Sequence, residues 1–283
     1  AEPAAHGLDP GAQDAARDIL REDAPHMDSL LVVRGGDLVY EWYGDTAGPD
    51  QLHAVKSVTK SVTSALTGVA LDTGDLAGID EPIGFLLPEA FSTVSDRRKR
   101  EITIRDLLTM RSGLDWAEYG ASVVEMTASP NWLDYVLDHD LAAEPGTRFN
   151  YSTGDTQLLA AALQQATGMT LLDFADLYLF GPLGITQREW TSDPQGVTIG
   201  GTELKLTPRG MAKFGYLYLN RGQWDGRQVI PADWVTQSHT AQIDLERQPD
   251  DCSDLSYGLL WWLRGQGGHP SAIAVGFGGQ FVY

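Results

Sequence analysis

The run Ser57-Val58-Thr59-Lys60-Ser61-Val62-Thr63-Ser64-Ala65-Leu66-Thr67-Gly68-Val69-Ala70-Leu71 constrains this chain most, because it holds a single charge, Lys60. Its apolar side chains at Val58, Val62, Ala65, Leu66, Val69 and Ala70 recur at helical spacing. Ser57, Lys60, Ser61, Ser64 and Gly68 make a second face that is small and polar rather than charged, so the helix is predicted to be buried all round. Burying an unpaired ammonium is costly, and the protein must neutralise it or give it a partner.

That partner lies one turn earlier. Residues three apart share a helix face, so Ser57 and Lys60 meet. Ser57 also stands at the helix start, where outward-pointing N–H groups favour negative charge. Desolvation and dipole both push Lys60 towards the neutral amine, which could draw a proton from the serine hydroxyl as in Ser-Lys nucleophilic catalysis. The plainer alternative is a serine N-cap with a lysine stem lying along apolar surface. The scarcity of charge in the stretch favours the acid–base pair.

Composition removes several other function classes. With 20 basic against 39 acidic side chains the formal charge is -19, which repels nucleic acid and anionic membrane surfaces. No apolar run approaches the length of a membrane span. The one cysteine, Cys252, has no internal partner, and its neighbours Asp250, Asp251 and Asp254 oppose thiolate formation, so it reads as a bystander. The six histidines have no metal-ligand spacing, and the glycine-rich stretches lack the strand–helix context and the Lys-Ser/Thr ending of a phosphate loop. Neither a metal nor a cofactor is expected. The start shows no signal peptide, but a chain after cleavage would look the same, so a soluble protein, cytoplasmic or exported, is the expectation. No pattern sets the oligomeric state.

Along the chain, residues 11–22 predict an amphipathic helix. Leu30–Val33 and Leu38–Tyr43 flank Arg34-Gly35-Gly36-Asp37, a hairpin signal. Residues 72–200 then read as short helices joined by Pro and Gly loops: a capping box from Thr103 to Asp106, a helix from Ser129-Pro130 through Leu137, one over Thr156–Ala166 closed by Gly168, and one over Thr170–Phe180. No strand pair is expected in this block. Thr207-Pro208 and Pro231 each open a helix. Strand signals return at Leu255–Leu263 and Ala272–Tyr283, around a turn at residues 265–270. The expected fold is therefore α/β in the α+β sense: one antiparallel sheet built from N- and C-terminal hairpins and flanked by helices, with an inserted all-helical lobe. Residues 1–71 and 201–283 would form the sheet domain and 72–200 the helical domain, with a cleft between them.

Four segments together resemble the serine β-lactamase-like superfamily of class C β-lactamases, D,D-peptidases, esterases and amidases. Ser57-Val58-Thr59-Lys60 matches its S-x-x-K element. Pro145–Thr153 is similar to the segment bearing the family's catalytic tyrosine, here Tyr151. Ile102–Leu114 is similar to a structural signature of the group. Gly276-Phe277-Gly278-Gly279-Gln280 falls where a Lys-Thr-Gly-like strand is expected. Two departures stand out: Thr153 replaces the asparagine of Tyr-x-Asn, and the last segment offers no Lys or His to hold the carboxylate of a β-lactam or a D-Ala terminus. Tyr151–Thr156 and the last segment look closest to the branch of 6-aminohexanoate-dimer hydrolases and carboxylesterases. In the family, further strands and a helix normally follow the last motif, so a chain stopping at Tyr283 would carry an unpaired sheet edge.

The resemblance implies an acyl-serine hydrolase acting on a small amide or ester, with Ser57 as nucleophile, Lys60 as base and Tyr151 sharing protons with Lys60. Nearby cation and dipole would favour phenolate character in Tyr151. Backbone N–H groups of Ser57 and Gln280 would form the oxyanion hole. Phe277, Gly278 and Gly279 would border the substrate, the glycines because strands tolerate glycine where a ligand comes close. Asp115, Trp116, Glu118 and Tyr119 lie on a loop expected to overhang the cleft; an ordinary solvated loop anchored by its Trp is the alternative, and Trp190 has the same two readings. The competing functions are a binding protein on this scaffold with weak or no turnover, and a true β-lactamase or D,D-peptidase.

Overall fold

The structure, a computed structural model, describes residues 3–245, 255–265 and 269–283. Cys252 and the centre of the expected turn at 265–270 lie outside the described residues. The chain opens with α1 (Pro10–Asp23), the hairpin β1 (Ser29–Arg34) and β2 (Asp37–Tyr43), the short β3 (His53–Ala54) and α2 (Val58–Thr73). Helices follow: α3 (Ile83–Leu86), α4 (Ile104–Leu108), α5 (Ala121–Ala128), α6 (Trp132–Asp138), α7 (Thr153–Thr167) and α8 (Leu171–Ala175), the last continued by a π-helical turn over Asp176–Phe180. Then come β4 (Arg188–Trp190), β5 (Leu204–Leu206), α9 (Pro208–Leu219), the ribbon β6 (Gln223–Trp224) and β7 (Arg227–Gln228), and α10 (Ala232–Ser238). The chain ends in β8 (Ile243–Asp244), β9 (Leu255–Tyr257), β10 (Trp262–Arg264), β11 (Ser271–Gly276) and β12 (Gln280–Val282), which form an antiparallel sheet in the order β12-β11-β10-β9-β8.

The mixed α and antiparallel-β class is the expected one, and the local signals act as read. Gly35 and Gly36 turn the first hairpin with φ of 61° and 91°. Thr103 and Asp106 close a reciprocal capping box on α4. Gly168, at φ 68°, ends α7.

Four details differ. Among the described residues the two terminal hairpins lie in separate sheets, and an open cleft of about 850 Å³, bordered by Leu31, Val33, Gly215, Phe281 and Val282, lies between β1 and β12. The block 72–200 is not wholly helical, because β4 pairs with β5, and β5 with β3; three residues with one apolar side chain are too short to register a strand period. Helix α6 is capped by Asn131, whose side chain accepts from the Asp134 amide, rather than opening at Ser129. Each long C-terminal strand is a pair, since Gly258–Trp261 separates β9 from β10 and Phe277–Gly279 separates β11 from β12.

Helix α2 is the centre of the molecule, buried from Val58 to Ala70. Two of its hydroxyls bond across the core, Ser61 Oγ to the Leu260 carbonyl at 2.7 Å and Thr63 Oγ1 to the Gly200 carbonyl at 2.8 Å, which offsets the cost of burying them. Its small residues admit neighbours closely. At Gly68 a Cβ would come within 2.3 Å of the Trp234 ring. Helix propensity favours Ala over Gly by about 1 kcal/mol, but overpacking against a buried indole costs about 1–3 kcal/mol. Gly68→Ala is therefore expected to lower the urea midpoint; a raised midpoint would show that Trp234 yields freely.

Candidate active site

The chain reaches Ser57 through an unusual backbone. Lys56 has φ 51° although it is not glycine, a conformation that costs energy and concentrates at functional turns. This turn delivers Ser57 as the residue preceding α2, in helical conformation and with no side-chain cap hydrogen bond. The N-cap alternative is thereby set aside, and the hydroxyl is free for Lys60.

Lys60 is 1% exposed. Its ammonium nitrogen has three partners, each at 3.0 Å: Ser57 Oγ, Thr153 Oγ1 and the Gly201 carbonyl. Burial pulls its pKa down to about 8, against the opposing pull of the Glu118 and Asp155 carboxylates. Glycine is needed at 201, since a Cβ there would lie 2.4 Å from Thr156 Oγ1 and 3.3 Å from Lys60 Nζ. Thr153, the residue standing in for asparagine, keeps a polar contact to the lysine. Glu118 lies 4.0 Å from Lys60 Nζ and is 12% exposed. It accepts from Thr153 Oγ1 at 2.6 Å, from the Thr153 amide at 2.7 Å and from Trp116 Nε1 at 2.6 Å. Asp155, fully buried, accepts from Ser112 Oγ at 2.7 Å, and burial raises its pKa to about 7.

Tyr151 lies beside this group, with Lys60 Nζ 5.1 Å from its ring centroid and Trp262 stacked on it at 5.5 Å. Burial raises its pKa, and a hydrogen bond with Ser57 only partly offsets the rise. The expected phenolate character is therefore corrected: burial and the nearby Glu118 carboxylate hold the phenol's pKa above its ordinary value, so it keeps its proton at neutral pH.

A half-buried serine hydroxyl, a desolvated amine in hydrogen-bond contact with it and a phenol within reach can together move a proton off one oxygen and onto another. The Beta-lactamase family model matches residues 19–283. The chain belongs to the beta-lactamase family. It is 25% identical over 269 residues to the 6-aminohexanoate-dimer hydrolase of Paenarthrobacter ureafaciens, covering 88% of this chain and 67% of that protein. It is 28% identical over 210 residues to esterase EstB of Burkholderia gladioli, covering 65% of this chain and 53% of that one. A solved Bacillus anthracis structure, provisionally called a 6-aminohexanoate-dimer hydrolase, superposes with a TM-score of 0.79 at 21% identity over 94% of this chain and 71% of that one. This beta-lactamase-family chain is a serine hydrolase by descent, and its fold is that of the family.

The remaining expected site residues divide. Ser57, Lys60 and Tyr151 are brought together, and Glu118 joins them through its contacts to Thr153 and Lys60. Trp116, 4% exposed, packs against His139 at 5.3 Å between ring centroids and supports Glu118; Trp190, 6% exposed, donates to the Ile199 carbonyl at 2.8 Å. Both are interior side chains. Asp115, Tyr119 and Phe277 are exposed at the surface, the last two at 89% and 80%. Gly278 and Gly279 sit in a turn, at φ 81° and 89°, and not within a strand. Gln280 pairs with Gly276 across that turn. It is Gly276 that abuts the backbone leading into Ser57, where a Cβ would lie 2.3 Å from the Val55 carbonyl oxygen.

Sequence reasoning missed Gly201 and Asp155 and gave Thr153 no task. The usable signals were a Gly200-Gly201 pair and an acid in an otherwise uncharged helix. Among the described residues no three His, Cys, Asp or Glu gather as a metal site, and no helix is long and apolar enough to cross a membrane.

Proposed function

We propose that this protein hydrolyses small amides or esters through an acyl-Ser57 intermediate. The observation that carries the reading is the 3.0 Å contact between Ser57 Oγ and the buried Lys60 amine, whose pKa is depressed to about 8. The free amine takes the Ser57 proton as Oγ attacks the carbonyl carbon. Tyr151, still protonated, donates to the departing nitrogen or oxygen and recovers its proton from Lys60. Water then attacks the acyl-serine by the reverse route.

Backbone N–H groups of Ser57 and of the Gly276–Phe277 side of the β11–β12 turn are proposed to hold the oxyanion. This replaces Gln280, which lies across the hairpin. The substrates are proposed to be neutral at the end facing β11, because β11 through Phe277 carries no cation and Lys56, beside Ser57, faces Glu203 at 3.8 Å. The names of the relatives, a 6-aminohexanoate-dimer hydrolase and an esterase, support the same class. The Thr153 contact to Lys60 argues against a scaffold that has lost turnover.

A fluorophosphonate probe tests the reading. Wild type should label and Ser57→Ala should not, with p-nitrophenyl ester turnover following the labelling and cephalosporin turnover weak or absent. A folded wild type that does not label, or efficient cephalosporin hydrolysis, would overturn it.

A further inference from the structure

The contacts around Thr153 impose a direction on the Lys60 amine. The Gly201 carbonyl can only accept. A threonine hydroxyl has one proton, and that of Thr153 is committed to Glu118 Oε1 at 2.6 Å, so the hydroxyl presents only lone pairs to Lys60. A neutral amine with three polar neighbours has two N–H groups and one lone pair to share among them. Two of these neighbours, Thr153 Oγ1 and the Gly201 carbonyl, accept only, so the lone pair is left facing Ser57 Oγ, the one partner able to give up a proton.

We infer that Glu118 is a positioning residue that aims the Lys60 lone pair at Ser57 by holding the Thr153 hydroxyl in its accepting orientation. Without this carboxylate, the Thr153 hydroxyl could turn and donate to the amine, occupying the lone pair that Ser57 needs. Glu118 is itself fixed from two sides, by the Trp116 indole and by the first amide of α7. That explains why an acid on a loop before α5 reaches inward. A second consequence is electrostatic. The Glu118 carboxylate, 4.0 Å from Lys60 Nζ, holds the lysine pKa higher than burial alone would leave it. Of the other ionisable groups near the amine, Asp155 from α7 acts in the same direction, and Tyr151 keeps its proton. Tyr257 on β9 keeps its proton too, while β11 and β12 contribute no ionisable side chain.

The inference rests on the proposed Ser57–Lys60 chemistry, so its test uses one readout that needs no turnover. Lysine side-chain NMR titration, with the Lys60 resonance assigned from its loss in Lys60→Met, reads the amine directly. In Glu118→Gln its midpoint should fall by about 1 pH unit or more, whether or not the enzyme turns over. Fluorophosphonate labelling at a pH above the Lys60 midpoint then reads the orientation. Thr153→Val should label on the order of 10²-fold more slowly. Thr153→Asn should restore the rate, because an amide offers its oxygen to Lys60 and its NH2 to Glu118. An unmoved Lys60 midpoint in Glu118→Gln, or Thr153→Val labelling at the wild-type rate, would overturn the inference. Failure of wild type to label, with the midpoint shift present, would instead remove the hydrolase reading and leave the electrostatic link standing.

Discussion

Lys60→Met is expected to yield a folded protein in which Ser57 no longer acylates, with probe labelling slowed on the order of 10³-fold or more. The fold should survive because two opposing stability terms are of similar size. Folded Lys60 has a pKa of about 8, below its value in an unfolded chain, so the unfolded state binds the extra proton between about pH 8 and pH 10.4. Stability therefore rises with pH across that window. Below it the cost of burying the charged amine is complete, on the order of 3 kcal/mol. Methionine removes this cost but leaves the Gly201 carbonyl and Thr153 without their donor, a loss of about 1–3 kcal/mol. Near pH 7 the two proteins should thus be close in stability. The distinguishing result is the slope: wild type gains stability relative to Lys60→Met as pH climbs from 8 towards 10. Urea midpoints measured at several pH values read this difference, and parallel curves would mean that Lys60 is not desolvated.

The part of this site that could be read from sequence was the part set by local periodicity. Ser57 and Lys60 are three apart on one helix, and an uncharged helix leaves its lone lysine few places to go. Tyr151 was reachable only through resemblance, because a tyrosine before a helix cap carries no local signature of chemistry. Glu118 was visible as a loop acid but was assigned to the cleft mouth. Its inward turn depends on donors contributed by Trp116 and Thr153, and their convergence is a tertiary fact. The same limit applies to the sheet. Two hairpins of good pattern at opposite ends of a chain do not specify whether their edges meet, and here a cleft lies between β1 and β12. Glycines were legible as breaks but not as contacts. Gly278 and Gly279 supply the left-handed turn, whereas the close approach expected of them belongs to Gly276.

Gly276→Ala follows from that reassignment and should lower kcat by on the order of 10²-fold to 10³-fold, the usual consequence of losing one oxyanion donor. The added methyl would meet the Val55 carbonyl oxygen at 2.3 Å and Gln280 Cβ at 2.9 Å. Val55 cannot step aside: its amide bonds the Leu204 carbonyl at 2.9 Å, and its own carbonyl accepts from Val58 at 3.2 Å. Strand β11 must therefore retreat from the start of α2 and carry the Gly276–Phe277 backbone with it. An interaction made only in the transition state is being removed, so kcat and kcat/KM should fall together while KM stays near its wild-type value. Gly278→Ala is the control. Its Cβ meets nothing within 4 Å, so a φ of 81° makes the substitution cost about 1–2 kcal/mol in backbone strain without moving β11. Steady-state kinetics on a p-nitrophenyl ester, with melting temperatures alongside, separates the two variants. If Gly276→Ala kept wild-type kcat, the second donor would have to come from elsewhere on the hairpin, with Gln280 first in line, and the assignment to the Gly276–Phe277 turn would fall.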